Sequence, residues 1–138
     1  MILLDNQTNY NFDLERLEEI AKAHTKKDIE LLIVDSKTIR SINKAQRAID
    51  KATDVLSFPL EGFDHMPLGS IVINSELAIK KANELGHTPK EEIILLFIHG
   101  LLHLLGYDHE VDSGEMREKE KELITKHNLP SSLIVRST

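Results

Sequence analysis

One long apolar segment limits the folds that this chain can adopt. It begins at Thr88-Pro89-Lys90-Glu91, where a capping threonine, a proline at the first helical position and a glutamate three residues after the cap are typical of a helix start. The residues that follow are apolar on nearly every side as far as about Leu105. Because a helix without a polar face must be covered all round, we predict that Pro89 to Leu105 forms a buried helix through the middle of the domain.

Shorter helical and strand patterns alternate along the rest of the chain. Strand-like apolar runs occupy residues 2–4, 29–34, 54–59 and 69–73, and the last two should pair as a hairpin. Helical patterns cover about 14–21, 36–51 and 74–85, with Gly86 as the stop of the third, and residues 112–115 open a last helix that runs to about His127. A chain of 138 residues fits one domain. We therefore predict a single α+β domain over residues 1–138, in which a small mixed sheet of about four strands packs with about five helices.

Composition excludes several classes of protein. The chain has no cysteine, so no disulfide framework is expected, and no stretch approaches the roughly 18 to 20 apolar residues that span a bilayer. Its first residues lack the basic region and apolar run of a signal peptide, which favours a cytoplasmic location. The net charge of −6 argues against a general nucleic-acid binder.

Positive charge is nevertheless concentrated between residues 36 and 51. This segment contains five basic residues and one acidic residue, so its net charge is +4. On a continuous helix the basic side chains would form one stripe, made of Arg40, Lys44, Arg47 and Lys51. The opposite, buried side would then carry Ile39, Ile42, Ala45 and Ile49. Such a stripe is either a solvated helix face or a surface for an anionic substrate.

Three histidines at the end of the long apolar segment have the spacing of metal ligands. His99 and His103 are four residues apart, so on a helix both can reach one ion, and Gly106 can take the left-handed conformation that returns His109 toward them. Each histidine alone could be a hydrogen-bonded core residue. Three together favour one Zn²⁺ ion with an open fourth position, the arrangement of catalytic zinc. The other histidines are expected at the surface: His24, His65, His87 and His127.

The motifs resemble those of a known family. The string HGLLHLLGYDH at residues 99–109 matches the HGxLHLxGYDH signature of the YbeY endoribonucleases, and TDVLSFP at 53–59 is similar to a second block of that family. LGSIVI at 68–73 is similar to its LGDIVI strand, with Ser70 in place of the aspartate. The resemblance implies a bacterial, metal-dependent endoribonuclease that is specific for single strands. Its implied partners are ribosomal RNA, chiefly the small-subunit RNA whose ends it matures, and ribosomal subunits under quality control, with no DNA or membrane partner.

Residue roles follow from the same resemblance. It makes His99, His103 and His109 the zinc ligands and Arg47 the arginine near the active site, where a fixed cation would stabilise the charge that develops on the phosphate. Asp108, which is adjacent to the last ligand, either orients an imidazole from outside the ligand set or assists proton transfer, or is a turn residue that bonds its own backbone. The remaining basic residues of the stripe are candidates for RNA binding: Arg40, Lys44 and Lys51.

Two alternative functions remain open. The spacing HxxxHxxGxxH is also that of metzincin peptidases, which carry a glutamate general base directly after the first histidine. This chain has Gly100 at that position and no methionine where the distant Met-turn would be expected, since Met116 is too close to the last ligand. The other alternative is a ribosome-associated factor in which zinc holds the fold without catalysis.

Overall fold

The computed structural model describes residues 1–60, 66–108 and 110–129 of the chain. Its elements, in chain order, are β1 (Ile2–Asn6), α1 (Leu14–Lys22), β2 (Ile29–Val34), α2 (Ser36–Arg47), β3 (Val55–Pro59), β4 (Gly69–Asn74), α3 (Ser75–Leu85), α4 (Pro89–Leu104) and α5 (Glu115–Lys126). The predicted α+β class, with a four-stranded mixed sheet and five helices, is confirmed.

The sheet has the strand order β1-β2-β4-β3. β1 and β2 are parallel, as are β2 and β4, while β3 and β4 pair in antiparallel fashion as the predicted hairpin. The connection from β2 to β4 contains α2 and β3, and β3, which runs antiparallel to β4, brings the chain back to the edge of the sheet at which β4 starts. β3 consequently forms one edge of the sheet, and α4 packs beside it.

Helix α4 runs through the main core, as its sequence predicts. Thr88 accepts a hydrogen bond from the backbone N–H of Glu91, whose side chain in turn accepts one from the N–H of Thr88. From residue 92 to residue 104 every position is buried except the two histidines, His99 and His103, which are partly exposed. Since apolar contacts fix the helix on all other sides, those two side chains are held at the one opening along its length.

Helix α2 covers the other face of the sheet and differs from the sequence-based prediction. It ends at Arg47, because Ala48 takes a left-handed conformation with φ of 58°, so Lys51 lies beyond the helix. Ala45 and Ile49 are exposed, against the prediction that they are buried. The physical reason is Asn43, which is 4% exposed and donates from Nδ2 to the carbonyl oxygen of Lys51 at 2.9 Å, so the chain turns back at the helix end.

One of the four histidines expected at the surface is buried instead. His87 lies at the start of α4 with its Nε2 atom 2.7 Å from Oε2 of Glu92, and Glu92 is completely buried. The contact between Nε2 and Oε2 offsets part of the cost of burying these two side chains. His24 and His127 are partly exposed, and His65 lies outside the described residues. In the described part of the chain, no helix has the length and apolar character that crossing a membrane would require.

Candidate metal centre

His99 and His103 lie together at the opening of α4. Their Nε2 atoms are 3.2 Å apart, and their rings meet edge to face with centroids 4.8 Å apart and planes at 75°. Two imidazole nitrogens bound to one tetrahedral zinc at 2.0 to 2.1 Å are separated by about 3.3 Å. The two side chains therefore already have the spacing that a shared zinc ion needs, which is what the four-residue interval on a helix predicts.

A buried carboxylate fixes one of these imidazoles. The Nδ1 atom of His99 lies 2.6 Å from Oε1 of Glu120, which is 3% exposed and belongs to α5. An ionised carboxylate only accepts hydrogen bonds, so the N–H at Nδ1 of His99 donates to it and the lone pair at Nε2 faces the cleft.

Sequence analysis missed Glu120, although α5 carries a signal for it. The residues that α5 buries lie at helical spacing along one face: Met116, Glu120, Leu123 and Ile124. An acid in the middle of an otherwise apolar stripe indicates a partner on the facing helix, because burying a carboxylate without a hydrogen bond is costly.

Gly106 takes the left-handed conformation that the sequence predicts beyond the end of α4. Gly106 has φ of 102°, and its N–H donates to the carbonyl of His103 at 3.1 Å, while that of Tyr107 donates to Leu102 at 3.0 Å. His109, the third predicted ligand, lies outside the described residues. Within 1–60, 66–108 and 110–129, no group of three or more His, Asp or Glu side chains is arranged as a metal site.

A cleft of about 490 Å³ opens in front of the two histidines. Arg47, at the end of α2, lines this cleft together with His99 and His103, and so do residues 53–57 of the β3 segment. β3 lies at the edge of the sheet, and the cleft opens beside it. The structure thus brings the candidate catalytic arginine, which precedes His99 by 52 residues in the chain, into the same cleft.

The other candidate RNA-binding residues lie outside the lining of this cleft. Nε of Arg40 donates to Oδ1 of Asp50 at 2.7 Å, and this pairing raises the pKa of Arg40 and lowers that of Asp50. Lys44 and Lys51 are exposed. The predicted single stripe is wrong as a helical feature, because the chain leaves the helix after Arg47.

Asp108 lines the cleft and also acts as a turn residue. Its Oδ1 atom accepts a hydrogen bond from the N–H of Glu110 at 3.0 Å, and its carbonyl oxygen accepts from Val111 and Asp112. Of its predicted roles, the turn is therefore present. Among the described residues, the carboxylate on the Nδ1 atom of His99 comes from Glu120.

Packing explains the glycine that follows the first histidine. A Cβ atom on Gly100 would lie 2.9 Å from Cγ2 and 3.2 Å from Cγ1 of Ile71 on β4. Position 100 faces the sheet rather than the cleft, so a glutamate there would collide with β4 instead of reaching the histidines. A peptidase-type base next to the first histidine is incompatible with this packing.

Comparisons with known proteins agree with the motifs. The chain matches the family described as Endoribonuclease YbeY over residues 5–128. Two proteins named Endoribonuclease YbeY are each 60% identical to it, one from Nautilia profundicola, with 99% of both chains covered, and one from Campylobacter jejuni strain RM1221, with 99% of this chain and 98% of the relative covered. The solution structure of a Thermotoga maritima protein is similar with a TM-score of 0.67 and 31% identity, over 92% of this chain and 89% of that one.

Proposed function

Since the chain belongs to the endoribonuclease YbeY family, we propose that it is a zinc-dependent endoribonuclease that cleaves single-stranded RNA. Its proposed substrate is ribosomal RNA, chiefly the ends of the small-subunit RNA, with a part in ribosome quality control. The observation that carries this proposal is the meeting of Arg47 with His99 and His103 in one cleft, because a fixed cation and a metal ion can together stabilise the negative charge that develops on a phosphodiester.

His99, His103 and His109 are the proposed holders of the zinc ion. The 3.2 Å separation of the first two Nε2 atoms supports this, as does the hydrogen bond that keeps Nδ1 of His99 occupied. When bound, zinc supplies a Lewis acid for the phosphate and a source of hydroxide at neutral pH. Three nitrogen ligands leave room for a substrate or water.

Arg47 is proposed to bind the scissile phosphate. Its guanidinium can donate two parallel hydrogen bonds to the non-bridging oxygens, and these strengthen as negative charge builds up in the transition state. The left-handed turn at Ala48 ends α2 directly after Arg47, which allows this side chain to project from the helix end at the cleft.

Carboxylates in the cleft can move the proton that hydrolysis releases. The oxygen of water bonds to phosphorus, the bond from phosphorus to the leaving oxygen breaks, and one proton passes from the water toward that oxygen. Asp54 and Asp108 both line the cleft and are the proposed acceptors.

The proposal is tested by one set of incubations with purified, zinc-loaded protein. The substrates are a single-stranded RNA, the same RNA as a duplex, a single-stranded DNA of the same sequence, and casein. We expect cleavage of the single-stranded RNA alone. Cleaved casein would indicate the peptidase, while no cleavage of any substrate would leave the zinc-containing ribosome-associated factor, and either result contradicts the proposal.

A further inference from the structure

We infer that Glu120 is a positioning residue of the metal site, which holds His99 in the orientation and tautomer that zinc binding requires. This inference rests on the proposed zinc site and adds to it a residue on a different helix. The contact joins α5 to α4 across 21 positions of the chain.

The environment of Glu120 argues that this contact is specific. The carboxylate side chain is 4% exposed, and its neighbours on the buried face of α5 are apolar: Met116, Leu123 and Ile124. A leucine at this position would fill the same interface without the cost of burying a charge. A role beyond packing therefore explains why an acid occupies this position. Among the described residues, His99 is the side chain that its carboxylate contacts.

That role follows from the chemistry of imidazole, because a histidine that binds zinc must have its proton on the nitrogen that does not bind the metal. Neutral imidazole carries its proton on one nitrogen and can bind a metal only through the other. Because Glu120 accepts from Nδ1 of His99, the proton stays there and Nε2 keeps its lone pair toward the cleft. The same Nε2 atom is the one that lies 3.2 Å from Nε2 of His103. Partners of this kind also raise ligand basicity, and their loss typically weakens metal binding by about 10- to 100-fold.

A purely structural link between α4 and α5 is the competing explanation. In that case, substitution of Glu120 would lower the free energy of unfolding but leave the zinc affinity of the folded protein unchanged. The two explanations therefore differ in a measurement that does not involve RNA cleavage.

The experiment compares the zinc affinity of wild type, Glu120→Gln, Glu120→Ala and Glu122→Gln by competition with a chelator, with urea unfolding of each metal-free protein alongside. Glu122 is the matched control, since it lies on the same helix with its side chain 60% exposed and paired with Lys119 at 3.1 Å. We expect Glu120→Gln, which keeps a neutral acceptor, to bind zinc about 10-fold more weakly and Glu120→Ala up to about 100-fold. Glu122→Gln should bind as wild type does.

A second measurement needs no substitution and covers the case in which the Glu120 variants do not fold. Nitrogen-15 NMR of the metal-free wild type at pH 8 should show His99 protonated at Nδ1. Protonation at Nε2, wild-type zinc affinity in folded Glu120→Ala, or no zinc affinity in the wild type would overturn the inference. Zinc binding that depends on Glu120 in a protein that cleaves no RNA would uphold the inference and reject the proposed nuclease function.

Discussion

Gly100 of α4 and Ile71 of β4 pack so closely that a methyl group on the glycine would lie 2.9 Å from Cγ2 of the isoleucine. Ile71 is completely buried, so it has little room to yield. This contact sets the distance between α4 and the sheet, one residue after His99. The packing of the core therefore determines how far the first histidine stands from the edge strand β3.

Replacement of Gly100 by alanine should destabilise the fold. Overpacking of a close-packed core costs about 1–3 kcal/mol. The higher helix propensity of alanine returns roughly 1 kcal/mol, so the net effect is destabilising unless the overpacking cost is at the bottom of its range. Urea unfolding of Gly100→Ala measures the change. In an Ile71→Ala background the same substitution should cost less, because the colliding atoms are gone; an equal cost in both backgrounds would contradict the contact.

Replacement of Arg47 by alanine should abolish RNA cleavage and leave zinc content unchanged. We expect a loss of at least about 100-fold, the usual effect of removing one preorganised donor to a transition state. Arg117→Ala is the matched control, since Arg117 is exposed on α5 and does not line the cleft. Full activity of Arg47→Ala would remove this residue from the mechanism.

Replacement of His103 by alanine should lower both zinc content and RNA cleavage. The variant keeps two of the three proposed nitrogen ligands, so its zinc affinity should be much lower than that of the wild type. Elemental analysis after dialysis should then find well under one zinc per chain. His24→Gln serves as the control, because His24 lies beyond the end of α1, where Nδ1 is 2.8 Å from the carbonyl oxygen of Ile20. A His103→Ala protein that retains one zinc per chain would exclude His103 as a ligand.

Stability should fall as the pH drops below the ordinary histidine pKa of about 6.5, in part because of His127. Burial is the main cause that lowers the pKa of His127, and the charges of Lys126, His24 and Arg16 lower it further, while Glu19 opposes them. The unfolded chain thus binds a proton at a higher pH than the folded chain does. The free energy of unfolding then decreases from about pH 6.5 down to the lowered pKa, and no further below it.

The variant His127→Gln isolates this contribution. Glutamine does not titrate, so the difference in the free energy of unfolding between pH 7.5 and pH 5.5 should be smaller than in the wild type. Urea unfolding of the metal-free protein at both pH values measures it, which keeps metal binding out of the comparison. An unchanged difference would show that His127 contributes nothing to the acid sensitivity.

Local sequence patterns predicted most of the fold. The capping box at Thr88 and Glu91, the apolar run of α4 and the alternating strands each act over a few residues, so they can be recognised without the tertiary structure. The hairpin of β3 and β4 followed from the same local signals. The prediction was wrong for the end of α2, because the side chain that turns the chain there, Asn43, acts through a contact eight residues away.

The histidine pair can be recognised from the amino-acid sequence, since a four-residue interval on a helix places His99 and His103 on one face whatever surrounds them. Which other side chains reach that face depends on how the helices and strands pack. Arg47 reaches the cleft because α2 ends next to the β3 segment, and Glu120 reaches His99 because α5 packs on α4. The sequence showed only that Gly100 stands where peptidases carry a glutamate base. The structure shows in addition that this glycine packs against Ile71. These relations join residues far apart in the chain, and they form only when the core brings the helices together.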